Sequence, residues 1–338
     1  MYRRRLAAFA GAIGLLGALF LSGVAARADT LTGVDSTLSS LMSTYLSSSK
    51  DACVGGMSTY IGGTKRCEIS QTSPGEKHIA VCVQSNTPGT SQECVITQTN
   101  DSGNNYALVF QHIVDNSGPT QEFTQRSSIT QMTTFGTGTG SNFAAIVQVV
   151  KESTKQAGDQ SQKVHQFNTT EQTSTTGTNF ASLKESSDQS GQSDTFKQTQ
   201  FSEQDASYPN GDISQHSFGL SRIFVTQSQV QNLTGSGVQM QTIDPRCCSM
   251  QDNNGDDVFT ITQSTDQAGN PNATQNSDSF GTCTSSGHCT ITQSSNNNAT
   301  SFGPATTPCT PGLPCESNVN CFGGVEGTCT QTVIIGSP

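Results

Sequence analysis

Tryptophan is absent from the 338 residues, and aromatic residues of any kind make up only 6%. Charged side chains account for 12% and apolar ones for 32%, against the roughly 45–50% apolar share of an ordinary globular domain. The first shortage excludes a thick hydrophobic core. The scarcity of charge also separates this chain from most disordered sequences, which stay unfolded largely through self-repulsion. Basic residues are few and mostly single, so no cationic patch exists to hold nucleic acid or an anionic membrane. No Gly-x-Ser-x-Gly elbow, His-Glu-x-x-His helix or phosphate loop occurs, and His78, His112, His165, His216 and His288 stand outside any recognisable catalytic setting. The sequence therefore predicts no enzyme, no catalytic residue, no resident metal and no cofactor.

The one long apolar run is at the start. Arg3, Arg4 and Arg5 precede Leu6 to Val24, and Ala26-Arg27-Ala28 forms a small-x-small site before Asp29. Residues 1–28 read as a secretory signal, so the chain is expected to act outside the cytoplasm, secreted or on the cell surface, with no membrane insertion after cleavage. Beyond it lie 12 Lys+Arg and 26 Asp+Glu, a formal net charge of −14.

What fills the gap is Ser, Thr, Asn, Gln and Gly. A stripe of Leu31, Val34, Leu38, Leu41, Met42, Tyr45 and Leu46 predicts one amphipathic helix within a cap spanning 29–52. From about residue 65 short alternating runs ending in Gln recur, such as Cys67 to Gln71, Ile79 to Gln84, Cys94 to Gln98, Val258 to Gln263 and Cys289 to Gln293. Gly, Asn, Ser, Asp and Thr clusters separate them, which predicts an all-β chain.

Three windows share the form Gly-x-Asn-aromatic-Ala-x3-Gln/Glu. They contribute Gly103, Asn105, Ala107 and Gln111, then Gly140, Asn142, Ala144 and Gln148, then Gly177, Asn179, Ala181 and Glu185, with the asparagines 37 residues apart both times. A fixed period of this size predicts a stacked-coil β-solenoid of strand–turn–strand repeats. Equivalent side chains would then form columns: an asparagine ladder and a glutamine ladder. The glycines are expected to supply φ > 0 in turns, the alanines to leave room for the facing strand, and the aromatics to point to the opposite face. The period at residue 216 is degenerate.

The Asn-x-Ala-x3-Gln spacing after Gly resembles the curlin repeat of curli-type bacterial fibre proteins, over about residues 90–230. The upstream half differs, since Gln98 and Gln131 lie seven and eleven residues before their asparagines. That resemblance implies an extracellular, bacterial, amyloid-like β fold able to stack on copies of itself.

Twelve cysteines are unevenly placed. Cys53, Cys67, Cys82 and Cys94 precede a stretch, 95–246, with none, and Cys247, Cys248, Cys283, Cys289, Cys309, Cys315, Cys321 and Cys329 follow it. In an exported chain disulfides are the default, with the pairing left open. Zinc at Cys283 with His288-Cys289 is disfavoured because no Cys-x2-Cys pair occurs. The expected organisation is cysteine-bearing coils at 53–98, cysteine-free curlin-like repeats at 99–246, cysteine-bearing coils at 247–300 and an irregular disulfide-held tail at 301–338. Disulfides at both ends would cap the open sheet edges.

Asp252 to Asp257 places oxygen ligands at alternate positions, but an acidic turn is the plainer reading, because an EF-hand loop needs glycine sixth. Sequons at Asn100, Asn168, Asn232, Asn272 and Asn298 read as products of composition. The expected function is a structural or adhesive protein of the cell surface or biofilm matrix. Ladders of Asn, Gln and Thr would offer many weak contacts to self or matrix components. The alternative is a glycan-binding module, or, less favoured, an ice-binding one. No Thr-x-Thr row recurs at the 37-residue period.

Overall fold

The structure is a computed structural model. It describes residues 35–46, 50–75, 77–85, 91–116, 118–133, 140–154, 158–192, 197–205, 213–217, 221–253, 257–268, 274–277, 280–285, 288–297, 318–323 and 329–335. The expected signal at 1–28 and the stripe positions Leu31 and Val34 lie outside these residues.

Among the described residues one helix precedes twenty strands. Helix α1 spans Ser36–Tyr45, and its N-cap Asp35 accepts from the backbone N–H of Thr37 at 2.7 Å, answering one of the donors that a helix start leaves open. The strands are β1 (Ala52–Val54), β2 (Met57–Ile61), β3 (Thr64–Thr72), β4 (His78–Gln84), β5 (Ser91–Asn100), β6 (Asn105–Asp115) and β7 (Thr120–Thr133). There follow β8 (Asn142–Thr154), β9 (Gln160–Thr173), β10 (Asn179–Gln192), β11 (Gln198–Asp205), β12 (Ile213–Ser217), β13 (Ser221–Thr234) and β14 (Gln239–Asn253). The last are β15 (Asp257–Ala268), β16 (Thr274–Ser277), β17 (Phe280–Ser285), β18 (His288–Asn297), β19 (Asn318–Gly323) and β20 (Cys329–Ile335).

They form two sheets. Sheet I runs β1-β4-β6-β8-β10-β13-β15-β18-β20, and sheet II runs β19-β17-β14-β11-β9-β7-β5-β3-β2. From β3 onward the chain moves between the two sheets, so neighbours within a sheet are parallel. Antiparallel pairing occurs at the N-terminal edge, where β1 pairs β4 and β2 pairs β3. The prediction of an all-β chain after one helix holds. The segment expected to be an irregular tail contributes β19 and β20, which extend the two sheets.

Burial follows the period of two that strands dictate. In sheet II, β5, β7 and β9 alternate buried and partly exposed positions almost throughout. The inward positions of both sheets meet in one apolar cluster of Ile69, Ile96 and Ile129 with Ala80, Ala107, Ala144 and Ala181. Alanine in one sheet makes room for isoleucine in the other. Sheet I differs on its outer side. Tyr106, Leu108, Phe143, Ala145, Phe180 and their neighbours are buried there, with Leu38, Leu41, Met42, Tyr45 and Leu46 of α1 packed among them.

The glycines act differently from expectation. The left-handed glycines are Gly55, Gly62, Gly63, Gly75, Gly158 and Gly235, and not Gly103, Gly140 or Gly177. What requires glycine is close approach between neighbouring turns. A Cβ on Gly140 would lie 2.7 Å from the carbonyl oxygen of Gly103, and one on Gly177 would lie 1.8 Å from that of Gly140.

Candidate functional site

The polar side chains that point inward are mostly Gln and Asn. Asn105, Asn142 and Asn179 are each fully buried and stand in register on β6, β8 and β10. Asn105 Nδ2 donates to Asn142 Oδ1 at 2.9 Å, and Asn142 Nδ2 to Asn179 Oδ1 at 3.0 Å. His78 begins this column. Its Nδ1 lies 3.0 Å from Asn105 Oδ1 and its Nε2 2.7 Å from Ser73 Oγ. An amide oxygen only accepts, so Nδ1 carries the proton of that bond. The column ends at Ser221, which aligns with Asn179.

Several glutamine columns run beside it, and four are the longest. In sheet I, Gln111 donates to Gln84 at 2.9 Å, Gln148 to Gln111 at 2.7 Å and Gln263 to Gln227 at 2.8 Å. In sheet II, one column links Gln71, Gln98, Gln131, Gln172 and Gln215 at 2.6–2.8 Å. Another links Gln92, Gln125, Gln166 and Gln204 at 2.8–2.9 Å. A third links Gln121, Gln162, Gln200 and Gln241 at 2.7–3.3 Å. The second amide hydrogen reaches across the interior. Gln98 donates to the carbonyl of Tyr106, Gln131 to that of Phe143 and Gln172 to that of Phe180. These three glutamines thus tie their own sheet strand to strand and the two sheets face to face. Neutral amides suit this because each offers two donors and an acceptor, and each bond is worth about 1 kcal/mol net.

Glu185 breaks the pattern and shows how the rule works. A carboxylate has no N–H for Gln148, so the rung has no donor of its own. Asn168, from the facing sheet, supplies it: its Nδ2 donates to Gln148 Oε1 at 2.9 Å and also to Glu185 Oε1. Gln227 then donates to Glu185 Oε2 at 2.6 Å. The sequence reading treated Asn168 only as a chance sequon. It is fully buried, as is Asn100 at 1% exposure, so neither is open to glycosylation in the folded chain.

The expected contact surface of amide ladders is corrected by the same burial: Asn and Gln of these columns sit inside and cannot meet a partner. The column spacing also varies. Successive rungs of the glutamine column in sheet I are 27, 37, 37, 42 and 36 residues apart. The residue aligned with Asn179 is Ser221, whereas His216 lies in β12 of the other sheet.

A buried carboxylate pair lies deeper in sheet I. Asp115 aligns with Glu152, and both are buried. Burial pushes the Glu152 carboxyl up to about 8, against a lowering bond from Gln189 and with a further rise from Asp115. Glu152 is therefore protonated at neutral pH.

Two disulfides join the sheets at the N-terminal end, Cys53–Cys67 and Cys82–Cys94, with Cα separations of 5.8 and 6.2 Å. They connect β1 to β3 and β4 to β5. Cys247 is buried in β14. The side chains of Cys248, Cys283, Cys289, Cys309, Cys315, Cys321 and Cys329, and most of the acidic turn 252–257, lie outside the described residues.

Outward, sheet II carries one cluster that spacing did not reveal. His165 Nδ1 lies 3.0 Å from Glu203 Oε2, and the His165 ring sits 5.9 Å from that of Phe167 and 5.3 Å from that of Phe201. The Arg126 guanidinium lies over Phe167 at 5.5 Å. The hydrogen bond from His165 holds the Glu203 carboxyl below the usual range, against burial and with help from Arg246. These residues come from β7, β9 and β11, so only strand pairing brings them together. Among the described residues no group of three metal-ligating side chains occurs, and no helix is long and apolar enough to cross a membrane. Comparison of the chain with protein-family models, with curated proteins and with solved structures found no match.

Proposed function

We propose that the chain is a secreted structural or adhesive protein, a stacked-coil β-solenoid that works as a stiff rod in a cell-surface or extracellular matrix. The observation that carries this reading is the continuity of the buried amide columns. They bind each coil to the next through side chains as well as backbone. Ordered Gln and Asn columns are the interior of assembled cross-β material, here folded within one chain. The repeating unit is a coil of variable length, with turns absorbing the differences. The outward Ser and Thr positions, not the amides, form the repetitive surface toward matrix components or other copies. Short antiparallel edge strands and disulfides restrain growth at the N-terminal end.

The test is assembly and adhesion of the exported chain under oxidising and reducing conditions. Fibres with a reflection near 4.8 Å on reduction, or retention on the producing cell surface, fit the proposal. A chain that stays monomeric in both conditions and is not retained by cells or matrix sinks it.

A second reading is favoured by one observation, the outward cluster of Phe167, Phe201, His165, Glu203 and Arg126. Aromatic faces beside a carboxylate and a guanidinium suit the apolar faces and hydroxyls of a polysaccharide. Co-sedimentation with insoluble polysaccharides, lost in Phe201→Ser, supports this glycan-binding role. Unchanged sedimentation, or none by the native chain, refutes it.

A further inference from the structure

The N-terminal disulfides define a geometry that the C-terminal strands repeat. We infer that Cys283 bonds Cys289 and that Cys321 bonds Cys329, each joining sheet II to sheet I within one coil. The inference rests on the stacked-coil reading proposed above.

Register places all four cysteines. In sheet II, Cys283 aligns with Ser249 on one side and Cys321 on the other. Following the column back, Ser249 aligns with Ile213, Ile213 with Thr170, Thr170 with Ile129 and Ile129 with Ile96. In sheet I, Cys289 aligns with Phe259 and with Cys329. That column leads back through Ile223, Ala181 and Ala144 to Ala107. The four cysteines thus stand on the columns of Ile96 and Ala107, whose described members pack together in the interior.

These columns face each other. Cys94 bonds Cys82, which aligns with Val109. Gln92 donates to the carbonyl of His112 and Gln98 to that of Tyr106. Residue numbers therefore rise along sheet II as they fall along sheet I. Two residues on from the facing positions of Cys94 and Val109 lie those of Ile96 and Ala107. The C-terminal cysteines sit one inward step along the strands from the columns that already hold disulfides. Facing columns bring Cα atoms to the separation a disulfide needs, as the N-terminal pairs do.

Each bond forms by thiol–disulfide exchange with an external disulfide donor. One thiolate attacks the donor, and a mixed disulfide results. The second thiolate displaces the donor, which leaves as a dithiol: it carries the two electrons and takes up two protons from solvent, matching the two the cysteines gave up.

The test uses the full exported chain and its Cys283→Ser and Cys321→Ser variants. Open thiols are blocked with iodoacetamide without reduction and located by mass spectrometry. No label on the four cysteines of the native chain, label on Cys289 alone among the remaining three in C283S, and label on Cys329 alone among the remaining three in C321S are expected. In the native chain, cleavage after Glu326 should leave the peptides bearing Cys321 and Cys329 linked until reduction. Label on Cys289 in C321S, or a link from any of the four to Cys309 or Cys315, overturns the pairing. Circular dichroism on the same samples separates the two failures. Wrong pairing with an intact β signature defeats this inference alone, whereas a native chain without β structure defeats the stacked-coil reading beneath it.

Discussion

Strands β6 and β8 and strands β10 and β13 occupy the same sheet, yet they are held differently. The first seven residues of β6 and the first nine of β8 are all buried, whereas β10 alternates after its third residue and β13 alternates almost throughout. One outward column shows the change: Phe110, Val147, Lys184, Thr226 and Thr262 succeed one another in register. Two inward columns change less over the same span: Ala107, Ala144, Ala181 and Ile223 stay aliphatic, and Gln111, Gln148, Glu185 and Gln227 stay polar and hydrogen-bonded. These inner columns are therefore more nearly constant than the outer one. Near the N-terminus the outside is a second apolar layer with a helix over it and disulfides behind it. Farther on, the interior suffices and the outside is left to water. The amide columns run from Gln71 and Gln84 to Gln241 and Gln263, whereas the apolar layer lies at one end.

The largest test breaks the constant part. Asn142→Leu removes the middle rung, stranding a donor on Asn105 and the acceptor of Asn179. It should cost about 3 kcal/mol, measured by denaturant unfolding, and a loss below about 1 kcal/mol would mean the column is decorative. Glu152→Gln comes next. Its folded pKa of about 8 stands above the ordinary 4.5. Below pH 4.5 both folded and unfolded chains hold the proton. Between 4.5 and 8 only the folded one does, so native stability falls with rising pH and levels off above 8. The variant should flatten that slope and gain on the order of 2 kcal/mol at pH 9 over the native chain, with little change at pH 4. Thermal melts across that range check it.

The outside offers a sharper contrast. Val147→Thr puts a hydroxyl into the apolar layer and should cost about 1.5 kcal/mol. Thr226→Val, in the same column two strands on in sheet I, should change stability by less than about 0.5 kcal/mol. Equal effects would erase the distinction between the two regions. The smallest expected change is Glu122→Gln, since the Lys163–Glu122 pair is exposed and 3.9 Å apart. Its melting curve should overlay that of the native chain, within about 0.5 kcal/mol.

Sequence alone determined the class of the fold and the identity of the columns in its most regular part. Period-two alternation and the repeated Gly-x-Asn-aromatic-Ala windows are local, and local backbone geometry sets which side a side chain takes. The same signals misled where chain length intervened. A fixed step of 37 residues led to His216, because an insertion in a turn shifts numbering without disturbing register. Composition could not say whether amides face inward or outward, since alternation places them on one side without naming it. That was decided by tertiary packing: only two sheets closing on each other leave each glutamine a rung to bond and an opposing carbonyl to reach. The same closure made Asn168 a structural donor for Glu185, and it gathered His165, Glu203, Phe167 and Phe201 from β9 and β11, separated in sequence by whole turns. Such contacts depend on how the strands pair and the sheets close on each other, which no short window of residues encodes.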